Sequence, residues 1–257
     1  MPDGPAPPPA VQRLRLRYAK RGRLRFSSHR DFQRALERAL RRAAIPMAYS
    51  AGFNPHPRVS YANAAPTGAA SEAEYLEIAV TRRVDPDALR KALDDALPPG
   101  LDVLEVVEAG PGALADRLEA SHWQIELPGV EVAVAAEAVR AFLAADRVEV
   151  SRLMKTGPRV FDARSAVLSL TVPGPDEENL TVRVAQGVQG SYAILHLVVR
   201  HTTPAVRPDD VLAGLRSQAH LAPPSPARMT RLAQGPLDEE DGTVADPLAI
   251  DRNVAGA

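Results

Sequence analysis

Residues 13–18 read Arg-Leu-Arg-Leu-Arg-Tyr, placing Leu14, Leu16 and Tyr18 on one side and Arg13, Arg15 and Arg17 on the other. A period of two predicts a β-strand with one buried face, because successive side chains of an extended chain point to opposite sides. The alternation resumes at Arg23-Leu24-Arg25-Phe26 after Arg21-Gly22, so a further extended stretch is expected there, with Leu24 and Phe26 turned inward. From about His29 to Ala44 the period changes. Phe32, Ala35, Leu36, Ala39, Leu40 and Ala43 recur at i, i+3, i+4, i+7, i+8 and i+11, the signature of an amphipathic helix. Ser28 is placed to cap that helix with Asp31 three residues on, and Pro46 marks its stop.

Beyond a stretch rich in Pro and Gly, the pattern predicts a strand within Met47–Ala62, a strand at Glu74–Val80, a helix from Asp85-Pro86 to about Ala96, and a strand at Leu101–Val107. The order β-α-β-β-α-β suggests a ferredoxin-like layer pair, with two helices on one face of an antiparallel sheet. The second half repeats the theme. Strands are expected at His122–Leu127, Arg147–Met154, Val160–Val172, Leu180–Ala185, Tyr192–Arg200 and Arg228–Ala233, with helices at about Val132–Ala145 and Arg207–Ala219. The fold class expected is therefore α+β: two ferredoxin-like halves with antiparallel sheets and an extra hairpin in the second. The boundaries that follow are a disordered N-terminus (1–11), a basic ferredoxin-like domain (12–109), a linker (110–121), a second domain (122–235) and a disordered acidic tail (236–257).

Composition narrows the function. The hydrophobic share of 45% and charged share of 25% belong to a globular protein. No apolar run reaches the roughly 18 residues that span a bilayer, and Met1–Ala10 lacks the apolar core of a signal peptide, so a cytoplasmic location is expected. The absence of cysteine excludes disulfides, thiolate zinc sites and Cys-ligated iron–sulfur clusters. No cofactor or metal is expected.

Charge is segregated. Arg13 to Arg42 holds twelve basic residues against Asp31 and Glu37, a net +10, so the rest of the chain must carry −11 to reach the formal net charge of −1. Strand alternation assigns Arg13, Arg15, Arg17, Arg23 and Arg25 to an open sheet face or edge, while Arg30, Arg34, Arg38 and Arg41 form a stripe along the helix. Guanidinium groups in such number suit phosphate by charge and by bidentate hydrogen bonding, which points to RNA. The competing reading is a solvated surface offset by the acidic second half. The loop Tyr49-Ser50-Ala51-Gly52-Phe53-Asn54-Pro55-His56-Pro57-Arg58 offers stacking, hydrogen-bonding and cationic groups in a segment stiffened by two prolines, which suits ligand recognition. It also reads as a structural turn in which Phe53 plugs the core and Asn54 caps amides.

The run Arg25-Phe26-Ser27-Ser28-His29-Arg30-Asp31, the helix Arg34–Ala43, the Tyr49–Arg58 loop, Gly68, Ser71 and Glu74-Tyr75 closely resemble the radical-SAM-associated family of unknown function. Its members are often appended to cobalamin-binding radical-SAM proteins and elsewhere encoded separately. A weaker match continues at Lys155-Thr156-Gly157 and Val160–Arg164. Radical-SAM chemistry needs three cysteines for its cluster, so the resemblance implies a partner that presents substrate to a separately encoded radical-SAM protein or ribonuclease. An alternative is a metal-independent RNA-processing or RNA-modifying enzyme using His29 or His56 as general base. A third is an adaptor whose basic face docks an acidic partner. In the second half, Lys155, Arg159, Asp162 and Arg164 flank a turn and strand, with Asp162 and Arg164 expected to form a structural ion pair.

Overall fold

The structure is a computed structural model and describes residues 7–51, 53–154, 157–174 and 191–254. The chain forms two compact units, one made of the first 118 residues together with 246–257, the other of 119–245. The architecture is mixed α/β, with antiparallel pairing between neighbouring strands within each unit.

In the first unit the elements run β1 (Gln12–Lys20), α1 (His29–Arg42), β2 (Val59–Ala62), β3 (Ala70–Val80), α2 (Pro86–Ala96) and β4 (Leu101–Glu108). The strands are ordered β4-β1-β3-β2. Leu14, Leu16 and Tyr18 of β1 face the helices as the alternation predicts. They join Phe32, Leu36, Ala39 and Leu40 of α1, Leu76, Ile78 and Val80 of β3, and Leu89 and Leu93 of α2 in one core. The cap is also as read from sequence. Ser28 Oγ accepts from the Asp31 amide at 3.2 Å and Asp31 Oδ2 accepts from the Ser28 amide at 3.2 Å, closing both orphan donors of the first turn.

The Arg23–Phe26 stretch is not a strand. Gly22–Phe26 is a tight helical turn, entered through Gly22 at φ +55°, and it leaves Phe26 59% exposed instead of beneath the helices. A two-period of only four residues following a left-handed glycine is too short to hold an extended path against a turn.

The sheet face opposite the helices explains the arginines of β1. Register puts Arg15 directly across from Glu77, and Arg15 Nε donates to Glu77 Oε2 at 3.0 Å. Arg15 is completely buried, and its Nη1 donates to both oxygens of Asp251 at 2.8 and 3.0 Å. Asp251 lies on α5 (Ala249–Val254), which packs beside β4. Residues 236–257 are therefore not a disordered tail over their described part. Leu237 bridges Val244, Leu248 is buried among Tyr75, Val107, Leu114 and Leu118, and Arg252 reaches Glu105 at 2.7 Å. Nor is 110–121 a free linker: Leu114–Arg117 forms a turn, and Arg117 Nη1 donates to Asp251 Oδ2 at 2.8 Å.

The second unit runs β5 (Ala120–Pro128), α3 (Val132–Ala144), the hairpin β6 (Glu149–Met154) and β7 (Gly157–Asp162), β8 (Val167–Thr171), β9 (Tyr192–Arg200), α4 (Pro208–Ala219) and β10 (Arg228–Gly235). Its main strands are ordered β10-β5-β9-β8, with β6-β7 a separate two-stranded sheet. The expected single strand at 160–172 is two, broken by a turn at Arg164–Ala166 where Asp162 Oδ1 accepts from the Arg164 amide at 2.9 Å. The strand expected at Leu180–Ala185 lies outside the described residues, as do Met1–Ala6 of the expected disordered N-terminus. No helix among the described residues is long and apolar enough to cross a membrane.

Burial alone would raise the Asp251 carboxyl, but the hydrogen bonds from Arg117 and Arg15 outweigh it and hold it below its ordinary value of 3.8. A group whose native pKa is depressed contributes its full stabilisation above the ordinary value and loses it as pH falls through the native one. Replacing Asp251 by Ala leaves buried Arg15 with only Glu77 as counterion and Arg117 without its carboxylate, so the first unit is expected to lose roughly 3–5 kcal/mol. Urea denaturation checks this as a lower midpoint, and the variant should lack the acid-side loss of stability that Asp251 contributes.

Candidate functional site

With the β1 arginines placed, the basic cluster divides into two populations. Arg13 pairs with Glu77 at 3.5 Å, Arg15 with Glu77 and Asp251, and half-buried Arg17 donates to the Glu72 carbonyl at 2.9 Å. Arg21 is gripped by Glu72 and by Asp102 at 2.8 Å, which raises its pKa beyond that of free arginine, chiefly through the hydrogen bond to Glu72. These residues do lie on or beside the sheet face opposite the helices, but their charge is spent inside the unit. The expectation of an open arginine-lined sheet face is corrected accordingly: the acidic residues that neutralise it sit on β3, β4 and α5.

The α1 arginines are different. At about 100° per residue, Arg30, Arg34, Arg38 and Arg41 fall within an arc of roughly 80°, opposite the buried Phe32, Leu36, Ala39 and Leu40. All four are exposed, and none is held by a salt bridge or side-chain hydrogen bond among the described residues. Asp31, the acid nearest in sequence, is committed to Ser28, whose hydroxyl and amide keep its carboxyl below the usual range, with Arg34 and Arg30 adding to the effect through space. At about 1.5 Å per residue the row is about 16 Å long. A helix surface of this kind offers phosphate-sized anions a line of unspent donors.

Two further features flank the row. At its N-terminal end, exposed Arg23 precedes Arg25, whose guanidinium lies 4.7 Å over the Phe26 ring. Beyond its C-terminal end the Tyr49–Arg58 segment is a β-finger. Ala48 and Arg58 anchor both arms on Ala79 of the sheet edge, Tyr49 bridges Pro57, and Ser50 Oγ accepts from the His56 amide at 3.0 Å. Tyr49, Asn54, His56 and Arg58 are exposed, Ser50 is half-buried, and Phe53 is 92% exposed. Phe53 does not plug the core, which overturns that version of the structural-turn reading.

The two histidines considered as bases sit apart from one another in the chain and in the elements that carry them. His29, at the first position of α1, packs edge-on to Tyr61 with ring centroids 4.9 Å apart. Burial, with a smaller push from Glu37, raises the Tyr61 hydroxyl to about 12, so it stays protonated at neutral pH. His56 rides on the finger. Neither imidazole is held by a carboxylate among the described residues. In the second unit Asp162 does not pair with Arg164: it accepts from the Val148 and Arg164 amides, while the Arg164 guanidinium donates to the Leu143 and Val167 carbonyls. Arg159 is exposed on β7, and Lys155 lies outside the described residues.

One constellation carried no signal in the sequence. On β5 and β9, His122 Nε2 meets His196 Nδ1 at 3.0 Å, and the Tyr192 hydroxyl donates to buried Glu126 at 2.5 Å. The two histidines are 74 residues apart, and only strand register brings them together. Burial, reinforced by His196, lowers the His122 pKa below the ordinary 6.5. The unfolded chain then binds a proton at His122 before the native state does, so stability falls as pH drops below 6.5. Thermal unfolding across that range should show a declining melting temperature, with a shallower decline in His122→Gln.

No curated protein matches the chain. A family model described as "Uncharacterized protein conserved in bacteria (DUF2344)" matches residues 13–208, a span that includes the capped helix, the arginine row and the β-finger. The chain belongs to this uncharacterized bacterial family.

Proposed function

We propose that this protein binds RNA through the exposed face of α1 and presents it to a separate enzyme. The observation that carries the reading is the row Arg30, Arg34, Arg38 and Arg41: four exposed guanidinium groups held by no salt bridge among the described residues, in a unit where Arg13, Arg15, Arg21, Arg83, Arg117 and Arg252 each pair with a carboxylate. Unpaired arginine stripes on a helix are the electrostatic footprint of phosphate-backbone binding. The β-finger, with its protruding aromatic and Asn54, His56 and Arg58, supplies contacts beyond charge. In this reading each unit is a ferredoxin-like half, an assignment supported by the strand orders β4-β1-β3-β2 and β10-β5-β9-β8, with α1 and α2 in the first unit, α3 and α4 in the second, and α5 an addition to the first. The catalyst would be a separately encoded radical-SAM protein or ribonuclease; the resemblance of the Arg25–Ala43 and Tyr49–Arg58 motifs supports the first. The lack of cysteine supports a presenting role over that of a cluster-bearing catalyst.

Counterion release gives the test. RNA binding by the intact chain should weaken linearly in a log–log plot against salt. Replacing Arg30, Arg34, Arg38 and Arg41 together by Gln should flatten that slope by about 3, at about 0.7 per phosphate contact on a single strand. Filter binding or fluorescence anisotropy reads it directly. Failure to bind any RNA at about 50 mM salt, where non-specific contacts are strongest, would sink the proposal.

A further inference from the structure

Phe26 and Phe53 are the two most exposed phenylalanines, 59% and 92%, and they flank the arginine row along the chain. Phe26 lies two residues before the Ser28 cap, at the N-terminal mouth of α1. The other end of α1 leads through Ile45, whose amide donates to Leu40, and Pro46, whose carbonyl accepts from Thr81, to the sheet edge at Val80. There the finger carrying Phe53 departs. The fold gives neither ring a place in the core, although the cores of this unit bury Phe32, Tyr18 and Tyr75.

Leaving a phenylalanine in water forgoes the stabilisation its burial would bring. Two such rings, one before and one after a line of unspent guanidinium groups along the chain, suit a ligand with flat apolar faces as well as regularly spaced anions. Duplex RNA does not offer this. Its base faces are stacked on one another and only edges, sugars and phosphates reach a protein. An unpaired strand offers both, because each base has a free π-face and successive phosphates follow the backbone. Phe26 is built for such a contact. The Arg25 guanidinium lies 4.7 Å over its ring, so a base on the remaining exposed surface would extend an existing cation–aromatic stack.

From this placement we infer that the RNA taken by α1 is single-stranded, with bases stacking on Phe26 and Phe53 while Arg30, Arg34, Arg38 and Arg41 hold the phosphates between them. The inference rests on the RNA-binding reading and adds the class of RNA to it.

The experiment compares a short oligouridine with an RNA duplex of equal phosphate count, by fluorescence anisotropy at one salt concentration, on the full chain. The single strand should bind about tenfold more tightly, as one or two base stacks provide. The double variant Phe26→Leu, Phe53→Leu keeps apolar bulk but removes the aromatic faces; it should lose about that tenfold for the single strand. Its duplex affinity and its salt slope should stay unchanged. Phe53→Ala alone, at a site with no core contact, should lose part of the same preference. Equal affinity for both RNAs, or a single-strand preference that survives both variants, would overturn the inference and leave the arginine row as a general phosphate site. Absence of binding to either RNA would instead remove the reading on which it rests.

Discussion

The first unit depends on one carboxylate. Asp251 receives Arg15 on both of its oxygens, Arg117 on the other side and the Gly110 amide at 2.9 Å, so two guanidinium groups and a main-chain donor converge on a fully buried acid. Transferring Arg15 from water into this site is costly, and the cost is offset only while every partner is present. The constraint propagates outward. It fixes the turn at Leu114–Arg117, seats Leu248 against Tyr75 and Val107, and holds α5 beside β4. One arginine of the conspicuous basic segment is thereby converted from surface charge into internal framework, and Glu77, Glu72 and Asp102 hold Arg13, Arg17 and Arg21 in the same unit.

That conversion is what gives the remaining arginines meaning. A cluster of twelve basic residues read as a whole invites a broad polyanion surface. Holding Arg13, Arg15, Arg17 and Arg21 inside the unit leaves a narrower feature: a row on α1, set opposite the helix's buried stripe and preceded by Arg23 and Arg25. The row can stay unpaired because the helix needs nothing from it. Its capping is done by Ser28 and Asp31, and its packing by Phe32, Leu36, Ala39 and Leu40.

Where local pattern dictates structure, the sequence was legible. The β1 alternation, the start of α1 at His29, its cap and the strands and helices of 70–108 follow from periodicity and from residues within a turn of one another. What could not be read depends on partners far along the chain. The acidic C-terminal stretch looks disordered by composition, yet Asp251 is drawn in by Arg15, 236 residues earlier. The His122–His196 contact arises from the register of β5 on β9, which no motif encodes. Phe26 misled for the opposite reason: its alternation with Leu24 is genuine, but Gly22 in a left-handed conformation turns the chain before a strand can form. The Tyr49–Arg58 loop was singled out by composition alone; its finger geometry comes from the anchoring of both arms on Ala79.

The same Asp251 clasp orders events in time. The first unit is discontinuous, with residues 119–245 intervening between its main body and the segment that completes it. A ribosome therefore releases Arg15 and Glu77 early and Asp251 only after the whole of the second unit has been made. Until then the β1 face holds a guanidinium with half its partners missing, and the nascent domain can be collapsed but not closed. The second unit, whose strands all lie within one continuous stretch, has no such wait. Vectorial synthesis thus favours completion of the continuous unit before the discontinuous one, which closes only once α5 arrives.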